Sequence, residues 1–246
     1  MTATATSGTA GHLDAIKAQQ QATWKSGDYS AVATLIVPVA EKLVDFADLR
    51  AGSEVLDVAT GSGNAALAAA RLQARVAGID YVAELLERGR ERAAAERLTI
   101  DLREGDAEHL PYADASFDAV VSVFGSMFAP DHQRTASEML RVTRPGGTVA
   151  LASWTPDGFL GDLFRTVGQF APPPPGIKSP MLWGTAEHLE SIFGSRVEWT
   201  HTTAWFTFRF PSAEAFVDYF ADKYGPTLKA LAASGDHANE LRSAFA

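Results

Sequence analysis

The residues best suited to do chemistry lie in one short stretch, the string VLDVATGSGN at residues 55–64. An apolar run ends in Asp57, a turn containing Gly61 and Gly63 follows, and an alanine-rich segment starts at Ala65. That order is typical of a β-strand, a tight loop and a helix N-terminus, the geometry with which α/β proteins hold nucleotide-like cofactors. The stretch therefore predicts a cofactor site, and the identity of the cofactor decides the function.

The loop fits two cofactor patterns. Read from Gly61 to Ala66, it matches G-x-G-x-x-A, the dinucleotide fingerprint of nicotinamide enzymes. Read from Asp57 to Gly63, it resembles D/E-x-G-x-G-x-G, the first motif of class I S-adenosylmethionine (SAM) methyltransferases, with Ala59 in place of the first glycine. The added methyl group is tolerable if the φ angle of Ala59 is negative. A close-packed turn without a ligand is a third interpretation.

A second acidic residue, Asp80, ends the next apolar segment. A carboxylate there can accept hydrogen bonds from both ribose hydroxyls of an adenosine, which NAD and SAM share. Asp80 can equally cap the helix that follows it. The adjacent Tyr81 either packs on the adenine ring or covers the edge of the sheet. Asp80 therefore supports an adenosine cofactor without choosing between NAD and SAM.

Two longer strings distinguish the cofactors. The string GDAEHLPYADASFD occupies residues 105–118, and RVTRPGG occupies residues 141–147. Both resemble the class I SAM-dependent methyltransferases, especially the small-molecule branch that includes the ubiquinone/menaquinone C-methyltransferases. The resemblance covers residues 40–155 closely. Nicotinamide enzymes have no reason to carry either string.

The resemblance implies SAM as the cofactor and S-adenosylhomocysteine as the product. It implies that Asp57 holds the methionine amino group, that Asp80 binds ribose, and that Asp106 and the Ala107 N–H meet adenine. The segment from Ser122 would pass beside the methionine part, and the N-terminal helices would close over the cofactor. The predicted cofactor-binding residues are Asp57, Ala59, Gly61, Gly63, Asp80, Tyr81, Asp106, Ala107, Ser122, Trp24 and Tyr29.

Methyl transfer by in-line displacement is mainly a matter of positioning. The sequence shows no catalytic base. His132 is predicted to be a solvated residue in the first turn of a helix, and His109 to be exposed. His188 and His201 have no partner visible in the sequence. The chain has no cysteine and no close pair among its six histidines, so no metal site is predicted.

Aromatic and apolar residues fall in segments that border the cofactor cleft in the family the chain resembles. They favour a small, apolar or aromatic methyl acceptor, although each could equally be ordinary core. These residues are Trp24, Tyr29, Phe124, Met127, Phe128, Trp154, Phe159 and Trp183.

Composition excludes several partners. The 246 residues carry a formal net charge of −9, and no cluster of Lys and Arg occurs, which argues against a nucleic-acid substrate. No apolar run reaches the length of a membrane span, and the first residues lack the features of a signal peptide. We therefore expect a cytoplasmic protein with no membrane partner.

Strands are predicted at 54–58, 117–123 and 148–154, among others, and they alternate with helices, which predicts a doubly wound, mainly parallel α/β sheet. In the N-terminal part, helices are predicted at 12–26 and 30–48. The resemblance implies a Rossmann-like methyltransferase fold with strand order 3-2-1-4-5-7-6. The predicted organisation is a flexible tail at 1–11, a helical cap at 12–48, a SAM-binding domain at 49–211, and a helical segment at 212–246.

The C-terminal part is less regular. Residues 196–210 are predicted to hold the last two strands, or one long strand. The helices at 212–233 would then be an insertion that covers the site or makes a homodimer contact. The helix at 239–246 resembles one cut short, which hints at a truncated chain.

Two other functions stay open at this point. One is an NAD(P)-dependent oxidoreductase, which keeps only the G-x-G-x-x-A match and lacks a Tyr-x-x-x-Lys pair. The other is a SAM-binding protein without methyl transfer.

Overall fold

The structure is a computed structural model that describes residues 5–170, 172 and 174–245. Its centre is a parallel sheet in the order β3-β2-β1-β4-β5. The strands are β1 Glu54–Val58, β2 Arg75–Asp80, β3 Ile100–Glu104, β4 Phe117–Val123 and β5 Thr143–Ala152. The sheet confirms the predicted doubly wound α/β fold.

Helices cover both faces of this sheet, and further helices follow β5 in the described part of the chain. The helices there are α1 Ala5–Lys25, α2 Tyr29–Leu35, α3 Val37–Phe46, α4 Asn64–Arg71, α5 Ala83–Glu96, α6 His132–Val142, α7 Phe159–Phe170, α8 Ala186–Phe193, α9 Ala213–Lys223, α10 Gly225–Ala233 and α11 Ala238–Phe245.

Strand β1 is the central strand of the sheet and its most buried part. Val55, Leu56 and Val58 are fully buried, because helices pack on both faces of a parallel sheet. The chain order reverses between β1 and β4, and α/β sheets place ligands at the carboxyl ends of the strands beside such a reversal. The loops that follow β1, β2 and β4 therefore meet at one edge.

The N-terminal elements differ from the prediction. We expected a tail at 1–11; residues 1–4 lie outside the described residues, and the chain is helical from Ala5 because Gly8 and Gly11 weaken a helix without ending it. The single helix expected at 30–48 is divided at Ile36, because Pro38 has no N–H to continue the hydrogen-bond ladder.

The last strands also differ. Strand β5 starts at Thr143 rather than Thr148, and the residues between them form an irregularity opposite Phe117–Ala119. Residues 197–211 form no strand in the described structure, so the predicted strands six and seven are absent there. Aromatic contacts hold this segment instead of a strand ladder: Phe206 and Phe208 pack on the core.

No helix among the described residues is long and apolar enough to cross a membrane. Within the same residues, no group of three or more His, Asp or Glu side chains is arranged to hold a metal ion.

Candidate functional site

A cavity of about 320 Å³ lies where the loops after β1, β2 and β4 meet, and α1 and α2 cover it. Nine of the predicted cofactor-binding residues line it together. They are Asp57, Ala59, Gly61, Asp80, Tyr81, Asp106, Ala107, Trp24 and Tyr29. The structure thus brings residues from α1, α2 and the ends of β1, β2 and β3 to one cavity.

The loop after β1 is a sharp left-handed turn. Ala59 has φ 54°, Gly61 has φ 55° and Gly63 has φ 84°. The condition that Ala59 has a negative φ is therefore not met, and the left-handed conformation costs an alanine about 1–2 kcal/mol. The turn closes because Gly125 leaves room for Ala59: a Cβ atom at Gly125 would lie 2.5 Å from the Ala59 Cβ.

Asp57 is a buried carboxylate at the floor of the cavity. Its Oδ2 accepts hydrogen bonds from the Thr60 hydroxyl (2.6 Å) and the Ala66 N–H (2.9 Å). Burial raises the pKa of Asp57 to about 7, the nearby Asp80 adds to the rise, and the two hydrogen bonds oppose it. Because both of these donors reach Oδ2, Oδ1 is the oxygen best placed to accept from a cationic or hydroxyl ligand.

Asp80 is the second buried carboxylate. Its Oδ2 accepts from the Gly61 N–H (2.8 Å) and its Oδ1 from the Val82 N–H (2.9 Å). Burial raises the pKa of Asp80 to about 6, against the effect of these backbone hydrogen bonds. Asp80 does not cap α5, whose N-cap is Val82; it ties the loop after β1 to the loop after β2.

Asp106 lies at the other end of the cavity and meets α1. The Lys17 ammonium donates to Asp106 Oδ2 at 2.6 Å and lies 2.5 Å from Glu108 Oε2. Burial opposes ionisation of Asp106, but the hydrogen bonds from Lys17 and the Glu108 N–H outweigh it, so the pKa of Asp106 is lowered. Asp106 is therefore a carboxylate that already has one cationic partner.

Helix α1 is fastened over the cavity by a row of polar side chains that sequence reasoning missed. Lys17 is followed by Gln20, which donates to the Phe128 carbonyl (3.1 Å), and by Gln21, which donates to the Tyr81 carbonyl. The spacing of three, four and seven residues up to Trp24 places these side chains on one face of a helix. That spacing is the signal that could have found them.

An aromatic group closes the end of the cavity beneath α1. The Trp24 ring meets Tyr29 edge-on with centroids 5.3 Å apart, and Phe128 at 5.0 Å. Tyr224, from the start of α10, completes the group. Burial raises the pKa of Tyr29, and Asp80 adds to the rise, so this phenol stays neutral.

Two predicted cofactor residues do not line the cavity. Gly63 forms the N-cap of α4 and faces Leu67 and Gly89. Ser122 is buried behind the site, where its hydroxyl donates to the Val58 carbonyl (2.7 Å) and accepts from the Ser126 N–H (3.1 Å). In this position both residues hold the loops that form the cavity.

The predicted acceptor-side residues fall into three groups. Trp24, Tyr29, Phe124 and Phe128 line the cavity. Met127 and Trp183 are fully buried core residues. Trp154 and Phe159 line a different cavity.

The prediction that His132 is solvated is wrong. His132 is 2 % exposed, its Nδ1 lies 2.8 Å from His188 Nε2, and its ring meets Trp183 edge-on. Burial lowers the pKa of His132 to about 4, with His188 and Lys178 adding to the fall. The helix start that the sequence correctly placed here is covered by α8, which the sequence could not show. His109 is exposed, as predicted.

The burial of His132 against His188 predicts that the free energy of unfolding depends on pH. Because the pKa of His132 is lower in the folded chain than the unfolded value of 6.5, unfolding takes up a proton between those pH values, and stability falls as pH falls from 6.5 towards 4. Asp57 and Asp80, with raised pKa values, act in the opposite direction. Between pH 7 and 5, His132 accounts for a loss of up to about 2 kcal/mol.

Urea titrations of the wild type and His132→Gln at both pH values measure this loss as a difference between the two profiles, in which the aspartate contributions cancel. Equal pH slopes for the two proteins would show that His132 is not buried in neutral form.

The charges around the cavity restrict what it can hold. Asp57, Asp80 and Asp106 line it, and Lys17 is the cationic residue among the described lining residues. A ligand with an ammonium, a sulfonium and ribose hydroxyls matches buried carboxylates, because it supplies positive charge and donors. A pyrophosphate would add negative charge to an acidic cavity. The residues present therefore fit SAM better than a dinucleotide.

Comparison with known proteins agrees with this chemistry. A model of the family described as "Methyltransferase domain" matches residues 56–151, which include the loop after β1, Asp80 and Asp106. An uncharacterised protein of Mycobacterium tuberculosis is 41% identical over 227 residues, covering 91% of this chain and 83% of that protein. Demethylmenaquinone methyltransferase of Deinococcus radiodurans is 42% identical over 123 residues, covering 48% of this chain and 51% of that protein.

The fold has a counterpart among solved structures. The YcgJ protein of Bacillus subtilis superposes with a TM-score of 0.60 at 19% identity, covering 83% of this chain and 86% of that one. This likeness shows the fold. The 41% identity over most of both chains places this chain in one family with the mycobacterial protein, and with the matched methyltransferase domain the chain belongs to the class I SAM-dependent methyltransferases.

Proposed function

We propose that this methyltransferase binds SAM in the cavity under α1 and transfers its methyl group to a small, apolar or aromatic molecule. The observation that carries the proposal is the pair of buried carboxylates, Asp57 and Asp80, that face one cavity at the carboxyl edge of the sheet. Each has a pKa raised by burial, so each gains from a ligand that brings positive charge or hydrogen-bond donors.

When bound, SAM supplies a methyl group on a cationic sulfur: the acceptor atom bonds to the methyl carbon, the carbon–sulfur bond breaks with its electron pair going to sulfur, and an acceptor proton passes to solvent. The residues of the chain position the reactants. Asp57 would hold the amino group, Asp80 the ribose hydroxyls, and Asp106 with Ala107 the adenine ring. Trp24 and Tyr29 exclude water from the covered end.

Two observations support an aromatic methyl acceptor, one from the site and one from a relative. Phe124 and Phe128 follow β4 and line the cavity, and their rings favour a ring-bearing acceptor without charge. One relative, which matches about half of this chain, is named as a methyltransferase of demethylmenaquinone, a quinone. These two observations support an aromatic acceptor for this chain as well.

Mass spectrometry of products tests the proposal. The full chain is incubated with SAM labelled in its methyl group and a pool of neutral phenols, naphthols and reduced quinones. We expect a product that carries one labelled methyl group, together with S-adenosylhomocysteine. Asp80→Ala, incubated in parallel, should form less of both. If SAM binds but neither compound forms from any member of the pool, the protein binds SAM without transferring its methyl group to an acceptor of this class, and the proposal fails.

A further inference from the structure

A second cavity, of about 520 Å³, lies between the loop that follows β5 and the segment before α9. Its wall is rich in aromatic rings, among them those of Trp154, Phe159, Trp205, Phe206, Phe208 and Phe210. Of these residues, only Trp154 and Phe159 were predicted from the sequence to lie near the methyl acceptor.

The polar side chains that line this cavity are neutral except one. Five are hydroxyls, those of Ser153, Thr155, Thr203, Thr207 and Ser212, and the sixth is the Asp157 carboxylate. Neither Lys nor Arg occurs among the lining residues that the structure describes. A wall of aromatic rings with a few hydroxyls favours a planar ligand without negative charge.

The rings at the mouth of the cavity are unusually open to solvent. Trp205 is 87 % exposed and Phe159 is 50 % exposed. Large aromatic side chains that stay uncovered at the rim of a cavity mark a place where a ligand or a partner packs.

A single pair of rings separates this cavity from the cofactor cavity. Phe124 lines the cofactor cavity and Trp154 lines the second one. The two rings stack with centroids 3.9 Å apart and planes 1° apart. Phe124 has φ 58°, a strained conformation for a bulky residue, and its N–H donates to the Ala152 carbonyl (2.9 Å). Two stacked rings, one from each cavity, therefore form the partition. The backbone of one of them, Phe124, is strained.

Size gives an independent reason for a second site. The cofactor cavity, at about 320 Å³, lies at the lower end of the range for small-molecule pockets. A cavity of this volume leaves little space for an acceptor beside a cofactor, whereas methyl transfer needs both together. The second cavity is larger and adjoins the cofactor cavity across the Phe124–Trp154 partition.

We infer that the second cavity binds the methyl acceptor, a planar aromatic molecule without negative charge, and that the Phe124 ring turns aside to join the two cavities. This inference rests on the proposed function for the role of its ligand. Trp154 would provide the stacking face on which the acceptor ring lies, in the position that Phe124 occupies without it.

Binding of 1-naphthol, a neutral planar probe, tests the inference in the full chain saturated with S-adenosylhomocysteine. The test variant, Phe159→Ser with Trp205→Ser, changes two exposed rings of the second cavity. The matched control, Phe46→Ser with Trp199→Ser, changes a phenylalanine 50 % exposed and a tryptophan 39 % exposed that line neither cavity. Equilibrium dialysis measures the affinity for 1-naphthol. Calorimetry of the protein without S-adenosylhomocysteine measures the affinity for SAM.

We expect the test variant to bind 1-naphthol at least tenfold more weakly than the wild type, with SAM affinity unchanged within twofold. The control should match the wild type in both. Equal probe affinity in all three proteins, no saturable binding by the wild type, or displacement of the probe by SAM would overturn the inference. So would a dimer, detected by sedimentation, that only the test variant dissociates, because a second copy would then cover Trp205. Failure of the wild type to bind SAM would instead reject the proposed function.

Discussion

Replacement of Asp80 by alanine is expected to lower the affinity for SAM at least tenfold. The carboxylate would accept from ribose hydroxyls, and hydrogen bonds to a charged group contribute about 1.5–3 kcal/mol. Asp80 also accepts from the Gly61 and Val82 N–H groups, so its loss loosens two of the loops that form the cavity. Calorimetric titration of the folded variant with SAM measures the effect.

Glu104→Ala is the matched control for this change. Glu104 ends the neighbouring strand β3 in register with Asp80, but it is exposed and does not line the cavity. We expect its SAM affinity to stay within twofold of the wild type. Unchanged SAM affinity in Asp80→Ala would show that the assignment of Asp80 to ribose is wrong.

Replacement of Gly125 by alanine should be more damaging than the size of one methyl group suggests. The new Cβ would lie 2.5 Å from the Ala59 Cβ and even closer to the Ala59 carbonyl oxygen. The φ angle of Gly125 is −81°, which alanine adopts freely, so the obstacle is steric. We expect a loss of about 2 kcal/mol in the free energy of unfolding, typical of overpacking at a rigid contact.

The same substitution should weaken SAM binding at least tenfold, because Ala59 can yield only by moving the cofactor loop. Gly168→Ala provides the comparison: nothing lies within 4 Å of its added Cβ in α7, and alanine there should raise stability by up to about 1 kcal/mol. Urea unfolding and calorimetry report both properties. A Gly125→Ala protein as stable and as avid as the wild type would mean that the two loops are not in contact.

The sheet and the floor of the cavity could be predicted from the sequence, because both depend on residues that are close together in the chain. Strands β1 and β4 have the bounds that their apolar runs predicted, and Asp57 and Asp80 follow from the rule that parallel strands end at a common edge. Each of these predictions needs only the residues of one short segment.

The cover of the cavity could not be predicted, because it depends on contacts between distant segments. Lys17 meets Asp106 across 89 residues of sequence, and His132 meets His188 across 56. The positive φ of Ala59 depends likewise on the space left by Gly125. Sequence patterns assigned each of these residues to a helix, strand or loop, but they did not show which helices, strands and loops contact one another.

The central claim is that the cavity under α1 binds SAM, and thermal unfolding of the full chain with separate ligands tests it most directly. At a hundredfold excess over Kd, SAM and S-adenosylhomocysteine should each raise Tm by roughly 5 to 10 °C. NAD should leave Tm unchanged, because its pyrophosphate would enter a cavity lined by Asp57, Asp80 and Asp106. Stabilisation by NAD alone, with no response to SAM or S-adenosylhomocysteine, would contradict the account.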